Sequence, residues 1–495
     1  AFLLFAVVHV LFADGLVDLG SLADDIAGVE QVRLMATDFS PEAVAERCAV
    51  PAERIRRLAH ELAAAPTAVV YGRIGTCTVS FGTLTSWLVD VVNALTGNLD
   101  RPGGAMFPLA AHLRRRAAGP GRGFDLGRWT SRVRQLPEVT GQLPVATLQD
   151  EIETPGEGQV RALVTVAGNP ALSTPNSERF DRAMGSLEFM VSVDPYLNET
   201  TRHADVILPP TESARVGHYD FAFLALAVRN VAVYSPPSLP ADPGAMDECE
   251  ILARLTLIAE GKGAEADPAE HTEALLAAAL GKGDVTRDQL TGDSPAELLL
   301  DAALRVGAYG LTIDELKAAP HGIDLGPLEP RIPGVLRTVS GKVELCPAPI
   351  VGDTERLRAA LAEPAPDFVL VGRRHLRSNN SWMHNVNVLV KGKPRCTLQV
   401  HPEDADRLGL TDGSPARVTS RAGQVVAPVE VTDTVLPGVV CLPHGWGHDR
   451  PGTRMAVARE HAGVNSNVLS DELAIDPLSG NAVLNAIPVT VEAAG

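Results

Sequence analysis

The chain has 495 residues, 45% hydrophobic and 21% charged: enough apolar material for two or three cores, and too much for a disordered or fibrous protein. Its 43 Lys and Arg against 61 Asp and Glu leave a formal net charge of −18, which repels phosphate backbones and argues against nucleic acid as a main partner. The six cysteines lie far apart with no CxxC pair, so they read as reduced structural thiols of a cytoplasmic protein and not as ligands of zinc or an iron–sulfur cluster.

The opening AFLLFAVVHVLFADG is apolar, but it lacks a basic flank and meets Asp14 too soon to span a bilayer, so no membrane insertion is expected. It reads as a helix cut from a longer chain. With no initiator Met before Met35, the sequence is taken as a carboxy-terminal portion. Ser40-Pro41-Glu42 and Pro51-Ala52-Glu53 each open a helix, and Ile55, Leu58, Ala59 and Leu62 repeat on one buried face of the second. A strand is predicted at Ala68 to Tyr71, then a glycine loop, Gly72 to Cys77, then a helix with Phe81, Leu84, Leu88, Val91, Val92 and Leu95 facing inward. The turn-rich run Gly97 to Gly104 can bring its backbone close to a ligand.

Residues Leu109 to Glu157, including Arg114-Arg115-Arg116, read as an irregular surface connection. A second unit follows: a buried strand at Ala162 to Ala167, the turn Gly168-Asn169-Pro170, a helix from Ser177 to Met184, and strands at Leu187 to Val193 and Ala204 to Leu208. Such alternation predicts an α/β fold with doubly wound, dinucleotide-binding-like domains and ligands beyond the carboxyl ends of the strands. Residues 240 to 335 read as helical, with candidates at Glu250 to Glu260, His271 to Leu280 and Pro295 to Val306. After the linker Pro364-Ala365-Pro366, and from Thr397 on, period-2 strands broken by Asp412-Gly413, Ala422-Gly423 and Pro437-Gly438 predict a small β-barrel. The domain boundaries are set at 1–108, 109–363 and 364–495.

Two strand-to-helix turns, at Gly72 to Gly75 and at Gly168, suit a phosphate, although neither matches a nicotinamide or ATP fingerprint. Asp194 lies 26 residues beyond Gly168, where an acidic side chain would grip a ribose or guanine edge; a helix-capping role fits that spacing equally. The barrel region holds three polar clusters, at Arg377 to Asn385, His444 to His448 and Gly463 to Asn467. Amides and imidazoles at that density are costly to bury without partners, which points to a large polar ligand over solvated loops. Cys77 is the one thiol in a ligand-like loop, and with no His beside it a small buried thiol is the simpler reading.

Together these pieces resemble the molybdopterin-dependent oxidoreductases of the dimethyl sulfoxide reductase type, especially their formate dehydrogenase and assimilatory nitrate reductase branches. The resemblance rests on LTGNL with Pro102-Gly103-Gly104, Gly168-Asn169-Pro170, DPYLNETTRHADVILP from Asp194, HPEDADRLGL from His401, HGWGHD from His444 and GVNSN from Gly463. It implies a carboxy-terminal double-psi-type β-barrel and a bis(molybdopterin guanine dinucleotide) cofactor with molybdenum or tungsten. By match, Gly168, Asn169, Pro170 and Asp194 would hold one guanosine end, supported by Thr200, Thr201 and Asp205. Ser381, His384, Asn385, His444, Gly445, Trp446, Asn465 and Asn467 would line the pterin and phosphate path, and Gly72, Gly75, Thr76 and Cys77 would approach the metal-proximal end. The family's iron–sulfur cluster and protein ligand to the metal are expected only in an amino-terminal part before Ala1, so this portion alone is expected to turn over little. The implied substrate is a small anion and the implied partner an electron-transfer subunit. The alternative is a cofactor-free structural homologue, like the large peripheral subunit of respiratory NADH dehydrogenase.

Overall fold

Helix α1 (Phe2–Ala13) is apolar around its circumference apart from His9, so every face needs cover. Helices α2 (Pro41–Cys48), α3 (Ala52–Ala64) and α4 (Gly82–Leu95) supply it. Phe5 and Phe39 stack at 4.5 Å in the centre of this unit, both fully buried. His9 Nδ1 donates to the carbonyl of Ala36 at 3.0 Å, which satisfies the helix's one polar side chain. The computed structural model describes residues 1–115, 119–281 and 284–495; Arg116 of the basic run, with Lys282 and Gly283, lies outside that set.

The expected caps are present: the Ser40 hydroxyl accepts from the Ala43 amide ahead of α2. In α3, Ile55 and Ala59 are buried, whereas Leu58, expected on the same face, is exposed. The strand expected at Ala68 to Tyr71 belongs to no sheet. It runs extended beside α4, where the Asn93 side-chain amide gives and takes one hydrogen bond with Val70 (both 2.9 Å), standing in for a neighbouring strand. Residues 343–361, grouped by sequence with the second unit, return to this first one. Val343–Glu344 pairs in parallel with Ile26–Ala27, and Leu345, Ile350 and Leu357 enter the α1 core. An apolar face on the helix Ala348–Leu361 drives that return, a feature hidden by its low-contrast sequence.

The second unit contains a parallel sheet of β1 (Ala162–Val166), β2 (Phe189–Val193) and β3 (Val206–Leu208), in that order. Strand β1 is not buried as expected: Val164 and Val166 are exposed on one face. Helices α5 (Leu148–Glu153) and α6 (Ser177–Met184) pack together at the sheet, where Phe180, Met184 and Met190 form a local core. The connection before α5 is irregular but not wholly superficial. Glu138 is fully buried, bound by the Arg128 guanidinium and the Gly141 amide. Three helices expected between 240 and 335 are present, at Glu248–Ala259, Pro268–Leu280 and Pro295–Arg305.

The last unit is a closed six-stranded barrel. Its strands are β4 (Phe368–Arg373), β5 (Leu398–Val400), β6 (Pro415–Thr419), β7 (Gln424–Val431), β8 (Val439–Pro443) and β9 (Ile487–Ala493), in the order β6-β7-β5-β8-β4-β9. Two pairs, β7 with β5 and β8 with β4, are parallel. Alternation is strict: Val425, Ala427 and Val429 point inward from β7, Ala416 and Val418 from β6, and Ile487, Val489 and Val491 from β9. Long connections, β4 to β5 and β8 to β9, leave the barrel and carry the polar clusters.

The β8–β9 connection also locks the first unit in place. The Asp476 carboxylate, fully buried, accepts from the Thr83 amide (3.0 Å) and hydroxyl (2.7 Å) at the start of α4, and from the Leu478 and Ser479 amides. Asn485 adds a bond to Thr78 and accepts from the Gly372 amide. Removing one partner of a buried charged hydrogen bond strands the others. Asp476→Ala is therefore expected to lower stability by about 3 kcal/mol and Asp476→Asn by clearly less, read from urea unfolding midpoints.

Candidate functional site

The sheet of the second unit ends against the two long barrel loops, and the residues at that junction are polar and buried. Gly168 and Asn169 leave the carboxyl end of β1, and Asp194 leaves that of β2. The Asp194 carboxylate accepts from the Tyr196 amide (2.8 Å) and the Asn198 side chain (3.0 Å). Thr200 donates its hydroxyl to Asn169 Oδ1 (2.7 Å) and accepts from the Ala171 amide, which caps a helical turn at Pro170–Ser173. Thr201 donates to the Tyr196 carbonyl and accepts from the Asn198 amide. The segment after β2 is thus folded on its own side chains, with its polar edge turned to the barrel.

Contact with the barrel runs through a line of buried groups. Asn169 Nδ2 donates to Glu199 Oε2 at 2.8 Å, with Ser381 Oγ at 3.3 Å. Glu199 Oε1 lies 2.9 Å from His448 Nδ1, His448 Nε2 lies 2.9 Å from His384 Nδ1, and His384 Nε2 lies 2.6 Å from Ser378 Oγ. Both imidazoles and the carboxylate are fully buried. Trp446 stacks on His384 with centroids 3.9 Å apart, and its Nε1 is buried without a partner. Burial comes first among the causes that push His384 down to about 3, followed by the neighbouring His448, so the ring is neutral. Burial alone would raise Glu199, but the bonds from His448 and Asn169 outweigh it and hold the group below the usual carboxylate range. Asp194 is raised, by burial first and then by the charge of Glu199.

The expected residues separate into three sets. Gly168, Asn169, Asp194, Thr200, Thr201, Ser381, His384 and Trp446 meet at this junction, and Asn169, Asp194, Tyr196, Asn198, Ser381, Trp382 and Met455 line a narrow cleft there. Asn385, Asn465 and Asn467 serve as tethers. Asn385 accepts from the Ala458 amide, while Asn465 and Asn467 donate to the carbonyls of Ala171 and Leu172 and so pin the barrel to the turn after Pro170. His444 contacts Asn380, and Gly445 lets the loop pass within 2.3 Å of the Asn380 carbonyl, measured from where a Cβ would stand.

Others lie apart. Asp205 is exposed at the amino end of β3, across the sheet from Gly168 and Asp194, where it accepts from the Met190 amide. Gly72 and Thr76 line a different cavity of about 620 Å³, between α4, the Pro102 to Met106 loop and Leu226 to Val228. Gly75 and Cys77 lie in a short helical turn, Ile74–Cys77, where a loop was expected, Gly75 with open space where a side chain would be. Glu199 and Asn198 carry the junction and were not singled out by sequence, and His448 was marked only as the end of a polar cluster, although all three stand inside the quoted motifs. The signal was an acidic residue beside Asn in the one and a second His in the other.

The residues present suit a large group rich in oxygen and nitrogen acceptors. Trp446 Nε1 and Arg373 Nη1 are buried donors without partners, and a Cβ on Gly168 would meet nothing closer than 3.7 Å. Among the described residues no helix is long and apolar enough to cross a membrane.

Comparison with known proteins agrees with this geometry. The family profile "Molybdopterin oxidoreductase" matches residues 3–214, and "Molydopterin dinucleotide binding domain" matches residues 368–488. The dimethyl sulfoxide/trimethylamine N-oxide reductase of Cereibacter sphaeroides is 26% identical over 90% of this chain and 58% of its own length. The F420-dependent formate dehydrogenase 2 subunit alpha of Methanococcus maripaludis is 24% identical over 88% of this chain and 62% of its own. The chain thus spans about six tenths of the length of these relatives. Acetylene hydratase from Pelobacter acetylenicus superposes on the whole chain and on 70% of its own with a TM-score of 0.75 at 16% identity, which shows a shared fold. With both profiles matched in chain order, one over the α/β units and one over the barrel, the chain belongs to the molybdopterin oxidoreductases of the dimethyl sulfoxide reductase family.

Proposed function

We propose that the chain cradles bis(molybdopterin guanine dinucleotide), with molybdenum or tungsten, in an oxidoreductase that oxidises formate or reduces nitrate or another small oxyanion. The observation that carries this reading is the junction itself, where Asn169, Asp194 and Ser381, from motifs of the α/β unit and of the barrel, line one cleft, and where Trp446, its Nε1 buried without a partner, stacks on His384. When bound, the group supplies two-electron oxidoreduction at its metal. The chain's own residues orient and shield it. Asp194, braced by Asn198, is an acceptor suited to the paired N–H donors of a guanine edge. Thr200 and Thr201 fix the orientations of Asn169 and Asn198. Trp446 Nε1 and the Arg373 guanidinium offer donors to pterin or phosphate oxygens, and the Gly72 to Cys77 loop addresses the metal-proximal end through its own cavity.

The parent enzyme carries its iron–sulfur cluster and protein metal ligand on a further segment, passes electrons to a partner subunit and works in the cytoplasm. The relative named a subunit alpha supports the partner. The pairing of Asn385, Asn465 and Asn467 within the protein favours a second reading, the cofactor-free structural homologue.

Metal analysis with acid release of guanine from the native protein separates the two readings. The expected result is molybdenum or tungsten with about two guanines per metal, and neither metal nor guanine would leave only the structural homologue. Asp194→Asn, which keeps the shape but turns one acceptor into a donor, is expected to cut retained guanine about fivefold, and unchanged retention would remove Asp194 from the binding site.

The junction also sets an acid limit. His384 is neutral when folded down to about pH 3 but takes a proton near pH 6.5 when unfolded, so its contribution to stability is full above that pH and falls as pH drops between the two values. Melting temperature is expected to fall as pH is lowered from 7 to 4, with a shallower slope in His384→Gln by about one proton.

A further inference from the structure

The line Ser378, His384, His448 and Glu199 has a property that simple packing does not require. Glu199 is an acceptor when ionised, so His448 places its proton on Nδ1. Its Nε2 is then an acceptor, so the neutral His384 also carries its proton on Nδ1, and His384 Nε2 accepts from the Ser378 hydroxyl. All three contacts are satisfied with every donor facing Glu199.

The same heavy atoms satisfy the reverse order. Ser378 Oγ also lies 3.0 Å from the Asn380 carbonyl, a second acceptor for its single hydrogen. When Ser378 donates there, His384 can donate from Nε2 to Ser378 Oγ and accept at Nδ1 from His448 Nε2, and one added proton sits between His448 Nδ1 and Glu199 Oε1. The two arrangements differ by one added proton and by the positions of the hydrogens along the line, with no heavy atom displaced. The Asn169 bond to Glu199 Oε2 is retained in both.

The surroundings hold the line to these two states. His375 and His444 are the other titratable groups facing His384, and with His448 they oppose a charge on its ring. Asp194 is the other charge near Glu199. One end opens at Ser378, half-buried beside the exposed Asn379 and Asn380; the other ends under Asn169 and Ser381 in the cleft wall.

We propose that Ser378, His384, His448 and Glu199 form a proton wire that takes up one proton from solvent when negative charge is added to the bound cofactor, and releases it when that charge leaves. In the uptake step a solvent proton bonds to Ser378 Oγ as the Ser378 hydrogen passes to His384 Nε2. The His384 Nδ1 hydrogen passes to His448 Nε2, so that the His448 ring carries a hydrogen on each nitrogen with Nδ1–H held by the Glu199 carboxylate, and the Ser378 hydroxyl turns to Asn380. Solvent loses one proton and the Glu199–His448 pair gains it. Electrons come from the partner subunit, so the coupling rests on the proposed function, whereas the wire does not.

The wire is tested on residues 1–495 without cofactor, by nitrogen-15 NMR of labelled histidines between pH 4 and 9. His384 and His448 are expected to start as Nδ1–H tautomers and to change together at a single midpoint; in His448→Gln, His384 is expected to keep one tautomer throughout. Independent midpoints, or no tautomer change in the unmutated chain, would overturn the wire, and that measurement needs no variant to fold. In the cofactor-loaded native protein, reduction in weakly buffered indicator dye is expected to take up one more proton than in His448→Gln. Equal uptake would overturn the coupling. If the native protein proves to hold neither metal nor guanine, the coupling falls with the proposed function while a joint tautomer change still carries the wire, whereas independent titration in a metal-loaded protein would overturn the wire and leave the proposed function standing.

Discussion

The hydrogen bond between Glu199 and His448 is the constraint on which the site depends. It joins a loop of the α/β unit to a loop of the barrel, and all its atoms are shut away from water. A carboxylate and an imidazole in such a place are tolerable only when each remaining lone pair or proton has a partner. Asn169 meets that demand on one side, His384 and Ser378 on the other, and Trp446 closes over the top of His384. The positions of Thr200 and Asn198 then follow, because Asn169 and Asp194 need fixed orientations for the cleft to exist. Loss of either central group would leave the other charged or unpaired in the interior, so the junction is held as a unit and not as a sum of pairs.

Much of the framework was legible because it rests on local rules. The Ser40 cap, the strand and helix alternation from Ala162 to Leu208, and the barrel's period-2 strands all follow from hydrophobic spacing and turn chemistry, and the structure contains each. Failures occur where a neighbour distant in sequence decides. Val70 reads as a strand but finds the Asn93 side chain in place of a sheet, and the helix Ala348–Leu361 joins a core whose other members lie some 300 residues earlier. Strand β4 precedes the point at which barrel strands were expected, because its register is set by β8 and β9 and not by a turn beside it.

The site was legible as motifs and not as roles. Density of amides and imidazoles marked the three barrel clusters, yet nothing in spacing distinguishes Asn465, which tethers a helical turn, from Ser381, which faces the cleft. Asp205 was grouped with Asp194 through the motif they share, and the direction of a parallel strand puts it on the far edge of the sheet. Glu199 was passed over because a lone acidic residue in a loop is ordinarily solvated; its importance appears only when His448 arrives from 249 residues away.

The Asp476 clamp has a bearing on how the molecule is made. It ties the start of α4 to a residue 393 positions later, and Asn485 repeats the tie at Thr78. During synthesis the helices around α1 emerge long before the loop that fixes them, and the barrel cannot close until β9 has followed. Contacts of such long sequence separation form slowly, because loop closure is entropically costly before any contact offsets it. The early helices therefore wait on the ribosome with one flank open, a stage at which a chaperone, or early docking of a cofactor, would have the greatest influence on yield.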